Sequence, residues 1–175
     1  GHSLSVSDVV EVEDAASMTP GFYFCDSIGF KEVPFQPELA NDIVQAPTIQ
    51  VVLVESGKLA RIVEVGTTLD AMQQTVGGDI EAYYPFEEQV CIVCNEEGKI
   101  NGLPLNRAIR DEDTNEIVDA IAGTFFICDC SGKSLGNLSK EQQKRYLEKY
   151  RFPERFFLTR DGIESVPYKP QSRER

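Results

Sequence analysis

Short runs of β-branched and aromatic residues, each closed by Gly, Asn or Pro, restrict the fold of this chain more than any other feature. Thr48-Ile-Gln-Val-Val-Leu-Val54 is followed by Glu55-Ser-Gly57 and then by Leu59-Ala-Arg-Ile-Val-Glu-Val65, the pattern of a β-hairpin. Asp79-Ile-Glu-Ala-Tyr-Tyr84 alternates and is cut by Pro85. Gln89–Cys94 reads as a further strand, with Asn95-Glu-Glu-Gly-Lys99 as its turn and Gly98 as the residue offering a positive φ. The apolar stretch Ala122–Cys128 reads as an inner strand. Nearer the N-terminus, residues 4–14, Gly21–Cys25 and Gly29–Val33 read as three short strands, and 34–48, with three prolines, as a linker.

Two stretches have helical spacing. Thr67 to Val76 is capped by Thr67, puts Leu69, Met72 and Val76 on one face, and stops at Gly77-Gly78. Leu138-Ser-Lys-Glu-Gln-Gln142 opens a second helix with Ser139 as N-cap and Gln142 at N3; Tyr146, Leu147 and Tyr150 form its buried edge. The order predicts an α+β fold: a largely antiparallel sheet with two helices, plus a small N-terminal β element, rather than a regular βαβ alternation. The expected parts are residues 1–47, the β element and linker; 48–155, the α+β domain; and 156–175, a C-terminal extension adding a short strand.

Charge excludes some functions. Residues 1–130 hold 23 Asp and Glu against 6 Lys and Arg, a net of −17, whereas residues 131–175 hold six against eleven. The body of the chain would repel a phosphate backbone, so direct nucleic-acid binding is not expected of it. The only histidine is His2, which leaves no imidazole for a catalytic triad or a His-rich metal site. No stretch approaches the roughly 18 apolar residues of a membrane span, and the N-terminus lacks the order of a signal peptide. The chain starts at Gly1 without Met, which reads as a piece of a longer polypeptide. Five cysteines, an odd number at wide spacing, read as free thiols of a cytoplasmic protein. Cys91 and Cys94 have C-x-x-C spacing and Cys128 and Cys130 could add sulfur ligands. On a strand, however, residues three apart face opposite ways, so neither a metal nor a cofactor is expected.

The candidate sites are few. Asn106 donates and accepts, and Arg107 carries a planar fork suited to an anion; with Lys99 and with Tyr83 or Tyr84 they would line a ligand pocket. Asp79, Glu81 and Tyr83 share one face of a strand, where two carboxylates would still need a third metal ligand. Glu96, Glu97, Asp111, Glu112 and Asp113 form the candidate acidic partner-binding surface, with Glu11–Asp14 and Glu87–Glu88 as further carboxylate runs.

Gly77-Gly-Asp-Ile-Glu-Ala82, Cys94-Asn-Glu-Glu-Gly-Lys99, Gly102-Leu-Pro-Leu-Asn106 and Ile121-Ala-Gly-Thr124, in that order and spacing, resemble a family of bacterial and phage domains of unknown function. The front, Gly1–Val10 and Phe24–Glu32, is similar to a segment of YodL-like multi-domain proteins of Firmicutes conjugative elements. These resemblances imply a mobile-element setting and supply no catalytic residues. The leading expectation is therefore a non-enzymatic accessory protein of a conjugative element or phage. It would act as an acidic protein-binding module that inhibits a host defence or nucleic-acid-handling protein. The alternative is a small-ligand or nucleotide-binding module, and the third a metal-dependent enzyme using carboxylates.

Overall fold

The computed structural model describes residues 9–13, 18–25, 27–34 and 47–170. They divide into two compact units, Gly1–Gln45 and Ala46–Arg175. In the first unit, β1 (Val9–Val12), β2 (Gly21–Cys25) and β3 (Phe30–Glu32) form an antiparallel sheet in the order β1-β2-β3. Of the expected strand over 4–14, β1 forms and Glu13 follows it as an exposed bend; residues 4–8 and Asp14, with most of the 34–48 linker, lie outside the described residues. Tyr23 is buried on β2, its hydroxyl donating to the carbonyl of Thr19.

The second unit is built on a five-stranded antiparallel sheet, made of β4 (Thr48–Val54), β5 (Arg61–Gly66), β6 (Ile80–Tyr83), β7 (Val90–Asn95) and β10 (Phe125–Asp129) in the order β5-β4-β10-β7-β6. The central strands β4, β10 and β7 are the near-continuous apolar runs. Alternation explains why: Val52, Val54, Val90, Ile92, Phe125 and Ile127 enter one core, and Ile49, Val51, Leu53, Cys91, Val93, Phe126 and Cys128 enter the other.

Helix α1 (Leu69–Val76) covers the second face through Met72 and Val76. Its N-cap is Thr68, one residue later than expected, with the Thr68 hydroxyl accepting from the Ala71 N–H. Leu69 does not join the buried face; it is the first residue of the helix and is 57% exposed. Gly77, at φ 79°, closes the helix as expected. The other face is covered by α2 (Lys140–Lys149), whose capping box is Ser139 with Gln142 and which buries Tyr146, followed by buried Tyr150.

That face is also covered by an element missing from the expected order, a hairpin of β8 (Leu105–Arg110) and β9 (Ile117–Ala122). Ile109 and Ile121 carry it into the first core. The acidic stretch 111–116 is the turn of this hairpin, in which Asp111 accepts from Asp113 N–H, Thr114 N–H and the Thr114 hydroxyl. The C-terminal extension forms a full hairpin, β11 (Glu154–Thr159) with β12 (Gly162–Pro167), rather than one short strand. Among the described residues no helix is long and apolar enough to cross a membrane.

Candidate functional site

Two polar clusters flank the bend between β7 and β8, and the structure gives them different surroundings. The first contains Asn106 and Arg107. Neighbours on a regular strand face opposite ways, but the register of β8 against β9 slips between Leu105 and Arg107, a bulge that turns both side chains inward. Asn106 is 1% exposed and Arg107 0%. The Asn106 amide donates to the carbonyls of Val54 and Gly123 at 2.9 and 2.7 Å. The guanidinium donates through Nε to the Tyr150 carbonyl, through Nη1 to the carbonyl and Oδ1 of Asn106, and through Nη2 to the Lys58 carbonyl.

Arg107 therefore ties β8 to the C-terminal end of α2, where carbonyls lack helical partners, and to the β4–β5 turn. Burial pushes its pKa down to about 10, against the opposing pull of Glu154 and Tyr168, so it stays charged at neutral pH. The pair expected to hold an anion is turned into the interior, with its donors taken by protein carbonyls.

The second cluster lies at the surface. Glu81 and Tyr83 on β6, Cys94 and Asn95 on β7, Glu96, Lys99 and Ile100 after it, and Asp119, Ile121 and Ala122 on β9 line a cleft of about 360 Å³. Gly98 holds the turn in place. It is not at positive φ, the expectation from sequence; a Cβ there would instead meet the Ala122 carbonyl oxygen at 2.8 Å, so the turn packs directly on β9. Lys99 Nζ donates to Asp119 Oδ1, so the ammonium is neutralised within the cleft.

Among the described residues Glu81 and Glu96 have no cation paired to them, and the two weakly acidic groups of the cleft are both raised. Burial, then Asp119, raises the Tyr83 phenol in spite of Lys99. Burial, then Glu81, pushes the Cys94 thiol up to about 11. Both groups stay neutral donors at pH 7. A second cleft of about 380 Å³ shares Lys99 and Asp119 and continues past Leu105, Ile117, Val118, Ala120 and Ile163 of β12. Val118 is 61% and Ile163 51% exposed. The two clefts meet at the shared Lys99–Asp119 pair and are together called the groove, the first lined by carboxylates and the second mostly by apolar side chains.

Of the expected site residues, the groove thus unites Tyr83, Lys99 and Glu96. Glu97 sits on the same turn, its Oε2 accepting from Asn101. Asp111, Glu112 and Asp113 lie on the turn of the β8–β9 hairpin, whereas the turn carrying Glu96 and Glu97 packs at its other end, against Ala122 opposite Leu105. Glu112 pairs there with Lys149. The five acidic residues therefore do not form one surface. Asp79 also parts from Glu81, its carboxylate accepting from Gln73 on α1.

Glu88 accepts from Arg145, Gln142 and the Tyr146 hydroxyl. Burial alone would raise its carboxyl, but these hydrogen bonds and the charges of Arg145 and Lys149 hold it below the ordinary range. This network fastens α2 to the start of β7. A further cleft of about 620 Å³ opens between the β8–β9 and β11–β12 hairpins, where Arg110 already donates to Asn115 and Ser165. Asp119, central to the groove, was not visible from sequence because β9 was not anticipated; the only signal was a lone acid in the run Ile117-Val-Asp-Ala-Ile-Ala122.

The family model described as a domain of unknown function (DUF3846) matches residues 49–151, spanning the five-stranded sheet, α1, α2 and the groove's acidic end. A YodL-like domain model matches residues 1–35. No curated protein and no solved structure matches the chain.

Proposed function

Because this chain belongs to the DUF3846 family, whose description assigns no activity, we propose its role from the groove: a non-enzymatic, acidic protein-binding module that grips a basic, partly apolar segment of another protein. The observation that carries this reading is the charge balance beside Lys99, three carboxylates against one ammonium, joined to an exposed apolar run. An arginine or lysine entering the acidic end meets Glu81, Glu96 and Asp119 together with the Tyr83 hydroxyl. Apolar side chains next to it would cover Leu105, Val118 and Ile163. Exposed large apolar residues rimmed by charge are a usual mark of protein contact surfaces.

The net charge of −12 adds steering toward a cationic partner. Proteins that handle nucleic acid carry such cationic surfaces, and inhibition of one of them on behalf of a conjugative element or phage is the setting we propose. An anionic small ligand fits less well, since Lys99 is paired and Arg107 is enclosed.

Affinity capture from a bacterial lysate tests the reading, using the full chain beside its Glu81→Gln, Glu96→Gln, Asp119→Asn triple variant. The expected result is a defined basic protein retained by the wild type, released by added salt and absent from the variant. Equal retention by both, or retention of acidic proteins only, would overturn it.

A further inference from the structure

Three thiols gather on the face of the sheet that α1 covers, away from the groove. Cys91 on β7 and Cys128 on β10 are directly opposed in register, both 0% exposed, with their sulfurs 3.7 Å apart. Cys130, two residues beyond Cys128, packs against the same core and is partly exposed. Cys94 faces the opposite core, and Cys25 belongs to the other unit.

We infer that Cys91 and Cys128 are a site of reversible oxidation, closed into a cross-strand disulfide through Cys130 as the gateway thiol. The backbone already meets the requirement. The Cys130 N–H donates to the Gln89 carbonyl, which makes that pair, and Cys128 with Cys91 two residues along, hydrogen-bonded positions of the ladder. Opposed Cα atoms at such positions stand roughly 5.5 Å apart, inside the roughly 4.4–6.8 Å that a disulfide spans. Side chains diverge more there than at the alternate positions, so the bond closes under tension and is readily reduced, as a reversible modification requires.

The oxidant is a low-molecular-weight disulfide. The Cys130 thiolate attacks one of its sulfurs, breaking the reagent's S–S bond and expelling one thiolate. The Cys91 thiolate then attacks the Cys130 sulfur, forming a Cys91–Cys130 bond and expelling the second reagent thiolate. Finally the Cys128 thiolate attacks the Cys91 sulfur, forming Cys91–Cys128 and returning Cys130 as a thiol. Two protein thiols lose their hydrogens and the reagent disulfide becomes two thiols.

Cys91 suits the middle position. The Cys128 hydrogen bond, offset by burial and joined by one from Cys130, favours its thiolate. Burial and Cys91 push the Cys130 thiol up to about 11, and the bond to Cys91 and burial drive Cys128 up. The first and last exchanges therefore run through small thiolate fractions and quicken as pH rises.

The test treats the full chain with glutathione disulfide under native conditions and follows intact mass and linked peptides. The expected product has lost two hydrogens, carries no adduct, joins the Cys91 and Cys128 peptides, and reverts with dithiothreitol. Cys130→Ser, a change at a partly exposed position, should fold normally and slow the oxidation by about tenfold or more, since the buried pair then depends on local opening. A stable glutathione adduct on Cys130, a final Cys91–Cys130 link, no mass change, or an undiminished rate in Cys130→Ser would each overturn the inference.

Discussion

Lys99 and Arg107 stand on either side of one bend, and both could be read from sequence as anion-binding cations. Arg107 is enclosed and spends its donors on four acceptors from three parts of the chain. Lys99 is half exposed and meets one carboxylate, in company with others. The difference comes from the bulge at Asn106, which turns two neighbouring polar side chains into the interior, while the Gly98 turn leaves Lys99 outside. The same chemistry thus braces the fold at one position and tunes a surface at the other, and burial decides which.

Arg107→Met should break the contrast most severely. It leaves the carbonyls of Tyr150, Lys58 and Asn106 without their donor, and urea unfolding should show a loss of about 3 kcal/mol or more. Arg107→Lys should recover little of it, because an ammonium cannot reproduce the fork. Asn106→Ala strips the donor from the Val54 and Gly123 carbonyls and should cost about 2 kcal/mol by the same measurement.

The Glu88 network gives a pH signature. Its carboxyl is held below its ordinary value of 4.5 in the folded protein, so its contribution is complete above that value and is lost as pH falls through the lower folded value. The stability gap between wild type and Glu88→Gln, followed by denaturation from pH 7 to 3, should therefore be constant near neutrality and close below about 4.5.

Lys99→Met should have the smallest effect on stability, within about 1 kcal/mol, because the pair is exposed. It should nonetheless strengthen capture of a basic partner by removing the cation that lines the acidic cleft, a split that Arg107 variants cannot show.

The contrast also marks how far sequence carries. Central strands were legible because Thr48–Val54, Gln89–Cys94 and Ala122–Cys128 are apolar enough for two buried faces, and the Ser139 cap was legible because its partner lies three residues on. The β8–β9 hairpin was not, since Asn106-Arg107 interrupts the alternation that would have announced a strand and a six-residue acidic turn looks like a free loop. With β9 unseen, Asp119 could not be placed beside Lys99. The groove's acidity stayed hidden behind a lysine that, read alone, suggests an anion site. Tyr83 and Lys99 line the same cleft, and its shared wall is acidic.

Amide chemical-shift mapping with an extended peptide alternating arginine and leucine would show where on the surface a basic, partly apolar segment sits. The expected shifts are confined to β6, Glu96–Ile100, β9 and Ile163, weakened by salt and abolished in the Glu81→Gln, Glu96→Gln, Asp119→Asn variant. Shifts centred on Asp111–Asp113, or unchanged by the triple substitution, would contradict binding in the groove.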